Sequence, residues 1–327
     1  MRVLMVTGQL PGPGQLGSMG FTVEQIASLR ALGITVEVVS VSGRRGIKYV
    51  EALPRVRRAA ASVDLVHGHF GYSGWIARSQ RRKPVVISFM GGDLLGEIGR
   101  NGTITTVSKF IVQVNRVVAR TVDAVIVKSP EMARVVAPVP AHVIPNGVDV
   151  HTFAPLDRAE ACARLGLDPA VRHVLFPSDP AVPVKNYALA QRVFQRVPSK
   201  LPFVVDFVTL GHVPHAQVPL YLNACDVALL TSHYEGSPNV VKEALACNLP
   251  VVAVPVGDVR EQLTGIDPCA VCPHDPEALA DGVAEVLKAG RRCNGRQLLH
   301  QRGLDLESVA RRVLAVYEAV LTRRAAA

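Results

Sequence analysis

At 327 residues the chain is long for a single core, and two domains of about 150 residues each are the expectation. Its formal net charge of +9 lies wholly in the first half, where residues 1–150 hold 18 Lys and Arg against 9 Asp and Glu, while residues 151–327 hold 18 against 18. A basic half joined to a neutral one points to an anionic partner such as an acidic lipid surface, a phosphorylated lipid carrier or an acidic glycan, and nucleic acid is set aside because Trp75 is the only tryptophan and aromatic residues are sparse among the basic ones.

In chain order, Arg2 to Thr7 reads as a strand with the near-continuous apolar run of a parallel strand buried on both faces. After a glycine-proline loop, a helix from Gly20–Thr22 to Leu32 is expected to bury Val23, Ile26, Ala27 and Leu29–Leu32; Gly33 ends it and a strand follows over Thr35–Val41. Val63–His67, Pro84–Phe89, Ala124–Val127 and Ala141–Ile144 supply further strands, with helices between them. A second cycle starts at His173–Pro177 and continues with helix 187–197, strand 203–210, helix 216–224, strand 227–231, helix 239–247 and strand 250–254. The domain boundary is expected near residues 150–170. A last amphipathic helix carries Leu306, Val309, Val313, Val316 and Val320 on one stripe. This alternation predicts an α/β fold of two open parallel sheets, each placing ligands at the carboxyl ends of its strands.

No apolar run approaches the roughly 20 residues that span a bilayer, and Val3–Val6 is broken by Gly8, Pro11 and Pro13, too early to form a signal-peptide core. The chain is therefore expected to be cytoplasmic. Cys162, Cys225, Cys247, Cys269, Cys272 and Cys293 are scattered through regular elements, as suits buried thiols in a reducing compartment. Cys269-Ala270-Val271-Cys272, with only His274 nearby and no second ligand pair, reads as core packing and not as a metal site.

The chemistry is carried by Glu235-Gly236-Ser237-Pro238-Asn239-Val240-Val241-Lys242-Glu243-Ala244. A buried strand precedes it, and Val240, Val241, Ala244 and Leu245 recur at helical spacing after it, so the Gly-Ser-Pro-Asn corner falls at a helix N-terminus. Free N–H groups and the helix dipole attract phosphate there, although Pro238 supplies no donor. Two carboxylates beside an anion site would repel the anion unless they engage hydroxyls, and a nucleotide sugar offers phosphate, ribose and sugar hydroxyls together. Gly12-Pro13-Gly14-Gln15-Leu16-Gly17 spells a dinucleotide fingerprint, but prolines and further residues separate it from the helix, and Ser40 and Ser42 stand where an acid would end the second strand.

This constellation, with Val143-Ile144-Pro145-Asn146-Gly147-Val148-Asp149 and Phe153, Lys185-Asn186, Leu210-Gly211-His212-Val213, and Leu249-Pro250-Val251-Val252 running into Gly257 and Glu261, resembles the family 4 retaining glycosyltransferases. The resemblance implies the GT-B fold, two Rossmann-like domains with a nucleotide-sugar cleft between them. It implies residues 1–155 as an acceptor-binding domain, 156–305 as the nucleotide-sugar-binding domain, and 306–327 as a helix packing back on the first. Glu235 would contact the transferred sugar and Glu243 the ribose, and Lys185 would bind the phosphates. Gly236, Ser237, Pro238, Asn239, Val240, His212 and Val213 would line the donor, and Gly17-Ser18-Met19-Gly20 would be the glycine-rich loop near donor and acceptor.

The chain departs from that pattern in five places. No arginine precedes Lys185 in Ser178–Val182, Met90 replaces a histidine, Ser18 replaces a glycine, and Asn248 and Asp258 stand where small residues are common. On the acceptor side the candidates are Asp93, His67, His69 and Gly20. Asp93 reads equally as the N-cap of a helix over 94–100, and the two histidines as hydrogen-bonded strand-end residues. Since no Asp-x-Asp occurs anywhere, metal-independent chemistry is expected, with no cofactor and with the nucleotide diphosphate sugar as substrate. The expected reaction is retaining transfer of a hexose to a hydroxyl of a glycan or lipid-linked acceptor. The rivals are a nucleotide-sugar epimerase of the same fold and a nucleotide-sugar-binding protein that has lost turnover.

One helix holds Lys109, Gln113, Arg116 and Arg120 on one face and Ile104, Val107, Ile111, Val114 and Val118 on another. The basic face is either solvated or, with Arg44, Arg45, Lys48, Arg55, Arg57, Arg58, Arg81, Arg82 and Lys83, a surface for anionic headgroups on the inner face of the cell membrane.

Overall fold

A computed structural model describes residues 1–10, 20–44, 47–97, 99 and 103–326. The chain divides into two compact units, one built from Met1–Gly99, Thr103–Gly147 and Leu306–Ala327, the other from Val148–Asp305.

In the first unit the elements run β1 (Arg2–Gly8), α1 (Gly20–Ala31), β2 (Thr35–Val41), α2 (Ile47–Ala59), β3 (Leu65–His69), α3 (Gly71–Arg78), β4 (Val85–Ser88), α4 (Gly92–Leu95), α5 (Thr106–Ala119), β5 (Ala124–Val127), α6 (Pro130–Val136) and β6 (Ala141–Val143). All six strands are parallel, in the order β2-β1-β3-β4-β5-β6. The inner strands β1, β4 and β5 are nearly continuous apolar runs because both faces are covered, while the edge strands β2 and β6 carry partly or fully exposed polar residues such as Glu37 and His142. Leu4, Val6, Val66 and Ile87 enter one cluster, while Val3, Met5, Leu65 and Val86 enter another that contains α1 and a C-terminal helix (Leu306–Ala325). That helix contributes Val309, Val313, Val316, Tyr317 and Val320.

Two helices sit differently from the pattern expected of them. In α1 the inward stripe is Gly20, Thr22, Gln25, Ile26 and Leu29. Val23, Ala27, Arg30 and Ala31 are exposed instead, because the 3.6-residue period that seats Ile26 and Leu29 brings Thr22 and Gln25 in with them. In α5 the inward side is Ser108, Asn115 and Ala119, whereas Val107 (71% exposed), Phe110 (67%) and Val117 (58%) face outward. The polar side turns in because it clamps a loop. Asn115 Nδ2 donates to Asp93 O at 2.7 Å, its Oδ1 accepts from Trp75 Nε1 at 2.7 Å, and Ser108 Oγ accepts from Glu97 N at 2.7 Å. Gly71 makes room, since a Cβ there would lie 2.3 Å from Asn115 Oδ1.

The second unit runs α7 (Arg158–Leu165), β7 (Arg172–Phe176), α8 (Tyr187–Phe194), β8 (Val205–Thr209), α9 (Val218–Ala224), β9 (Val227–Leu230), α10 (Asn239–Ala246), β10 (Val251–Ala253), α11 (Val259–Leu263), β11 (Ala270–Val271), α12 (Pro276–Ala289) and α13 (Gly295–Gln301); the C-terminal helix of the first unit is then α14. Its parallel sheet has the order β11-β10-β9-β7-β8. The adjacent strands β7, β9 and β10 therefore send the loops holding Lys185, Glu235 and Gly257 from one edge. All six cysteines are free, and Cys269 Sγ accepts from Val251 N at 3.3 Å. No described helix is long and apolar enough to cross a membrane.

Candidate active site

Lys185 ends a short turn, Pro183–Lys185, that is tied down from β9. Thr231 Oγ1 is shared between the carbonyls of Lys185 (3.0 Å) and Asn186 (3.1 Å), and His233 N donates to Val184 O at 2.9 Å. Asn186 takes the left-handed conformation (φ 54) that lets the chain turn into α8. So held, Lys185 Nζ lies 2.6 Å from Glu235 Oε1, and Ser232 Oγ donates to the same oxygen at 2.8 Å. Two residues given separate tasks on the sequence thus form one ion pair, with 24% and 15% of their side-chain surfaces exposed.

Glu243 lies in α10 with its Oε1 3.9 Å from His215 Nε2, and the His215 ring meets Phe153 edge-on at 5.7 Å. Each carboxylate of the motif therefore faces a basic side chain. Between them, Gly236–Asn239 enter α10 with Pro238 at the N-cap position and no side chain capping the first turn. Pro238 O accepts from Val241 N at 3.2 Å, and Val240 packs on the core of its unit. The Ser237 hydroxyl is turned inward to Asp258, at 2.8 Å, so what Ser237 offers a ligand is its backbone. Gly257, at φ +57, passes so close that a Cβ would lie 2.6 Å from Gly236 O. His212 is exposed in a left-handed turn (φ 60), and Val213 packs on the core.

The two unusual residues have structural accounts. Asn248 follows α10 at φ 56, a conformation asparagine tolerates, and its Oδ1 accepts from Arg296 N at 3.0 Å. Asp258 is buried and meets Ser237 and Gln262. Sequence reasoning passed over Lys242, Ser232, His215 and Gln262. The available signal was a lysine among the apolar residues of a buried helix, together with an unexplained aspartate.

In the first unit, His67 and His69 are both fully buried in β3. His67 Nδ1 lies 2.6 Å from Tyr317 Oη and its Nε2 2.8 Å from Ser88 Oγ. Burial, reinforced by Lys128, pulls the His67 pKa down to about 3. His69, 4.5 Å from the His67 ring, is likewise held neutral, and neither of its ring nitrogens has a hydrogen-bond partner among the described residues. Asp93 does not cap a helix over 94–100, because α4 is a single turn, Gly92–Leu95. Its carboxylate turns back to accept from Met90 N (3.0 Å), Gly91 N (2.9 Å) and Gly71 N (3.2 Å). Burial raises its pKa against those three donors. Three donors with a fixed geometry outcompete one helix terminus. Gly20 opens α1 and is buried; Gly17 and Ser18 lie outside the described residues.

Residues 1–147 match the family described as "Glycosyl transferase 4-like domain", and residues 192–289 match "Glycosyl transferases group 1". A D-inositol 3-phosphate glycosyltransferase of Catenulispora acidiphila is 27% identical over 328 aligned positions, 83% of this chain and 77% of that protein. Sucrose-phosphate synthase of Thermosynechococcus elongatus superposes with a TM-score of 0.75 at 19% identity, covering 99% of this chain and all of that one. HepE of Anabaena in complex with UDP superposes at 0.73 with 18% identity, covering 98% of this chain and 100% of that one.

Proposed function

We propose, for a chain that belongs to the family 4 glycosyltransferases of the GT-B fold, that it transfers a hexose from a nucleotide diphosphate sugar to a hydroxyl of a glycan or lipid-linked acceptor, with retention and without a metal. The observation that carries this reading is the Lys185–Glu235 pair, 2.6 Å apart beside the uncapped start of α10. An ammonium and a helix N-terminus can take the charge of a departing diphosphate, and the carboxylate can hold the sugar as positive charge develops on it. Glu243 is the ribose ligand in this reading, and the diphosphate oxygen takes the acceptor proton. The acceptor side rests on the first unit, where the Asp93 loop, His69 and Gly20 are the candidates.

The basic first unit supports a membrane-facing role. Val107, Phe110 and Val117 of α5 are exposed beside Lys109, Arg116 and Arg120, and Ile47 and Val50 of α2 are exposed beside Lys48. Exposed apolar side chains among cations suit an anionic lipid surface.

The test is a panel of UDP-, GDP- and ADP-sugars with glycan and lipid-linked acceptors, read by NMR of the anomeric centre, with and without EDTA. Retained configuration in EDTA supports the reading. An inverted product, or activity that EDTA abolishes and manganese restores, contradicts it. Donor converted to an epimeric nucleotide sugar with no acceptor present replaces transfer by epimerisation.

A further inference from the structure

A buried cation lies beneath the loop that leads into α10. Lys242 is 0% exposed, and its Nζ donates to Ser237 Oγ at 2.8 Å. The Ser237 hydroxyl in turn donates to Asp258 Oδ2 at 2.8 Å, and Gln262 Nε2 donates to Asp258 Oδ1 at 2.6 Å while standing 3.3 Å from Ser237 Oγ. Asp258 and Gln262 are 5% and 3% exposed. Two opposite charges so enclosed, bridged by the Ser237 hydroxyl, give up hydration that their attraction does not readily return, so stability alone is a weak reason for them. Burial pulls the Lys242 pKa down and pushes that of Asp258 up; the carboxylates of Asp258, Glu243 and Glu235 oppose the first shift, and Lys242 opposes the second.

The direction of the lysine gives the pair a use. Helical side chains lean toward the N-terminus of their helix, and Lys242 reaches back past α10's own start to Ser237. Its charge therefore gathers at the end where the helix dipole is already positive. We propose that Lys242 is a positioning residue for the donor's diphosphate: acting through the Ser237 hydroxyl, it braces the entry to α10 and supplies a second positive charge behind it, which Asp258 balances. The inference rests on the reading of this loop as the donor-phosphate site.

The test uses the full chain and calorimetry with UDP, GDP and ADP, and with the nucleoside of whichever diphosphate binds. A charge role weakens binding in the first variant and not in the second. Lys242→Met should weaken diphosphate binding about 10-fold to 100-fold, leaving the nucleoside within about twofold. Asp258→Asn keeps an acceptor for the Ser237 hydroxyl, sets its amide against Gln262, whose own amide must turn over to accept from it, and frees the lysine charge; it should leave diphosphate affinity equal to wild type or up to about 10-fold tighter. If Lys242→Met does not fold, Asp258→Asn and the double variant Lys242→Met/Asp258→Asn decide, the double binding diphosphate more weakly than Asp258→Asn alone. A plain structural brace would weaken diphosphate and nucleoside alike in both single variants, and that result overturns the proposal. If wild type binds none of the three diphosphates, the donor-site reading itself fails and takes this inference with it.

Discussion

Replacing Gly257 by alanine tests whether the placement of the Glu235 loop governs turnover. The added methyl would lie 2.6 Å from Gly236 O and 2.9 Å from Glu235 O. The nearer distance is about 0.7 Å short of the roughly 3.3 Å at which carbon and oxygen touch. The obstruction is backbone, so the loop must move, and Glu235 must move with it relative to Lys185 and Ser232. A misplacement near 1 Å of a group beside the reacting atoms costs up to about 100-fold in rate. The left-handed backbone adds about 1–2 kcal/mol of instability for any non-glycine residue. Gly166 separates the two effects, since it has φ +69 but a Cβ added there would meet no described atom within 4 Å. Gly166→Ala should carry the same backbone cost and keep its activity. Urea unfolding of both variants, with kcat/KM for the donor found in the sugar panel, makes the comparison. If Gly257→Ala is as active as Gly166→Ala at matched stability, the close approach does not position the site and the reasoning is wrong.

Glu235→Gln should lower kcat by about 100-fold or more while the free nucleoside diphosphate binds within about threefold of wild type, because the carboxylate acts on the sugar; intact turnover with lost nucleotide binding would reverse the assignments of the two glutamates. Glu243→Ala should weaken nucleoside diphosphate binding by roughly 10-fold to 150-fold, the range for charged hydrogen bonds, and unchanged calorimetry would remove Glu243 from the site. His67 is neutral in the fold, with its pKa lowered from 6.5 to about 3, so the unfolded chain binds the extra proton. Its contribution to stability is complete above pH 6.5 and is lost as pH falls toward 3, by roughly 1 kcal/mol per pH unit for one such group. Fluorescence of Trp75, the only tryptophan, follows the first unit in urea, and a midpoint equal at pH 7 and pH 5 would contradict this. The chain should bind anionic liposomes at low salt and release them as salt screens charges beyond about 8 Å; equal binding to neutral vesicles would assign the charge to solubility.

Most strands were legible because they are short apolar runs bounded by glycine, proline or polar residues; the two-residue β11 was not, its run being read as core packing. The loop of Glu235 was legible because its strand, corner and helix are consecutive. The contact of Lys185 with Glu235 spans 50 residues and depends on which strands become neighbours, which periodicity does not specify. Helix α5 misled for a different reason. Its apolar stripe is real, but Asn115 is drawn inward by the Trp75 indole and the Asp93 carbonyl, and hydrogen bonds to buried backbone outweigh the hydrophobic pattern. Lys242 was hidden in the same way, its partners Ser237 and Asp258 lying on separate loops.

The pairing of Tyr317 with His67 joins residues 250 positions apart, and it sets an order of events during synthesis. Every strand of the first sheet has been translated once Val143 is made, yet α14, which helps cover the face of Val3, Met5, Leu65 and Val86, is made only after the second unit. The intervening 158 residues, Val148–Asp305, occupy a ribosome for roughly 8–30 s at ordinary elongation rates. Through that interval the nascent chain carries an apolar sheet face that α1 covers without its second helix, which makes it a client for chaperones. A message truncated upstream of Leu306 would leave that face with α1 alone for good.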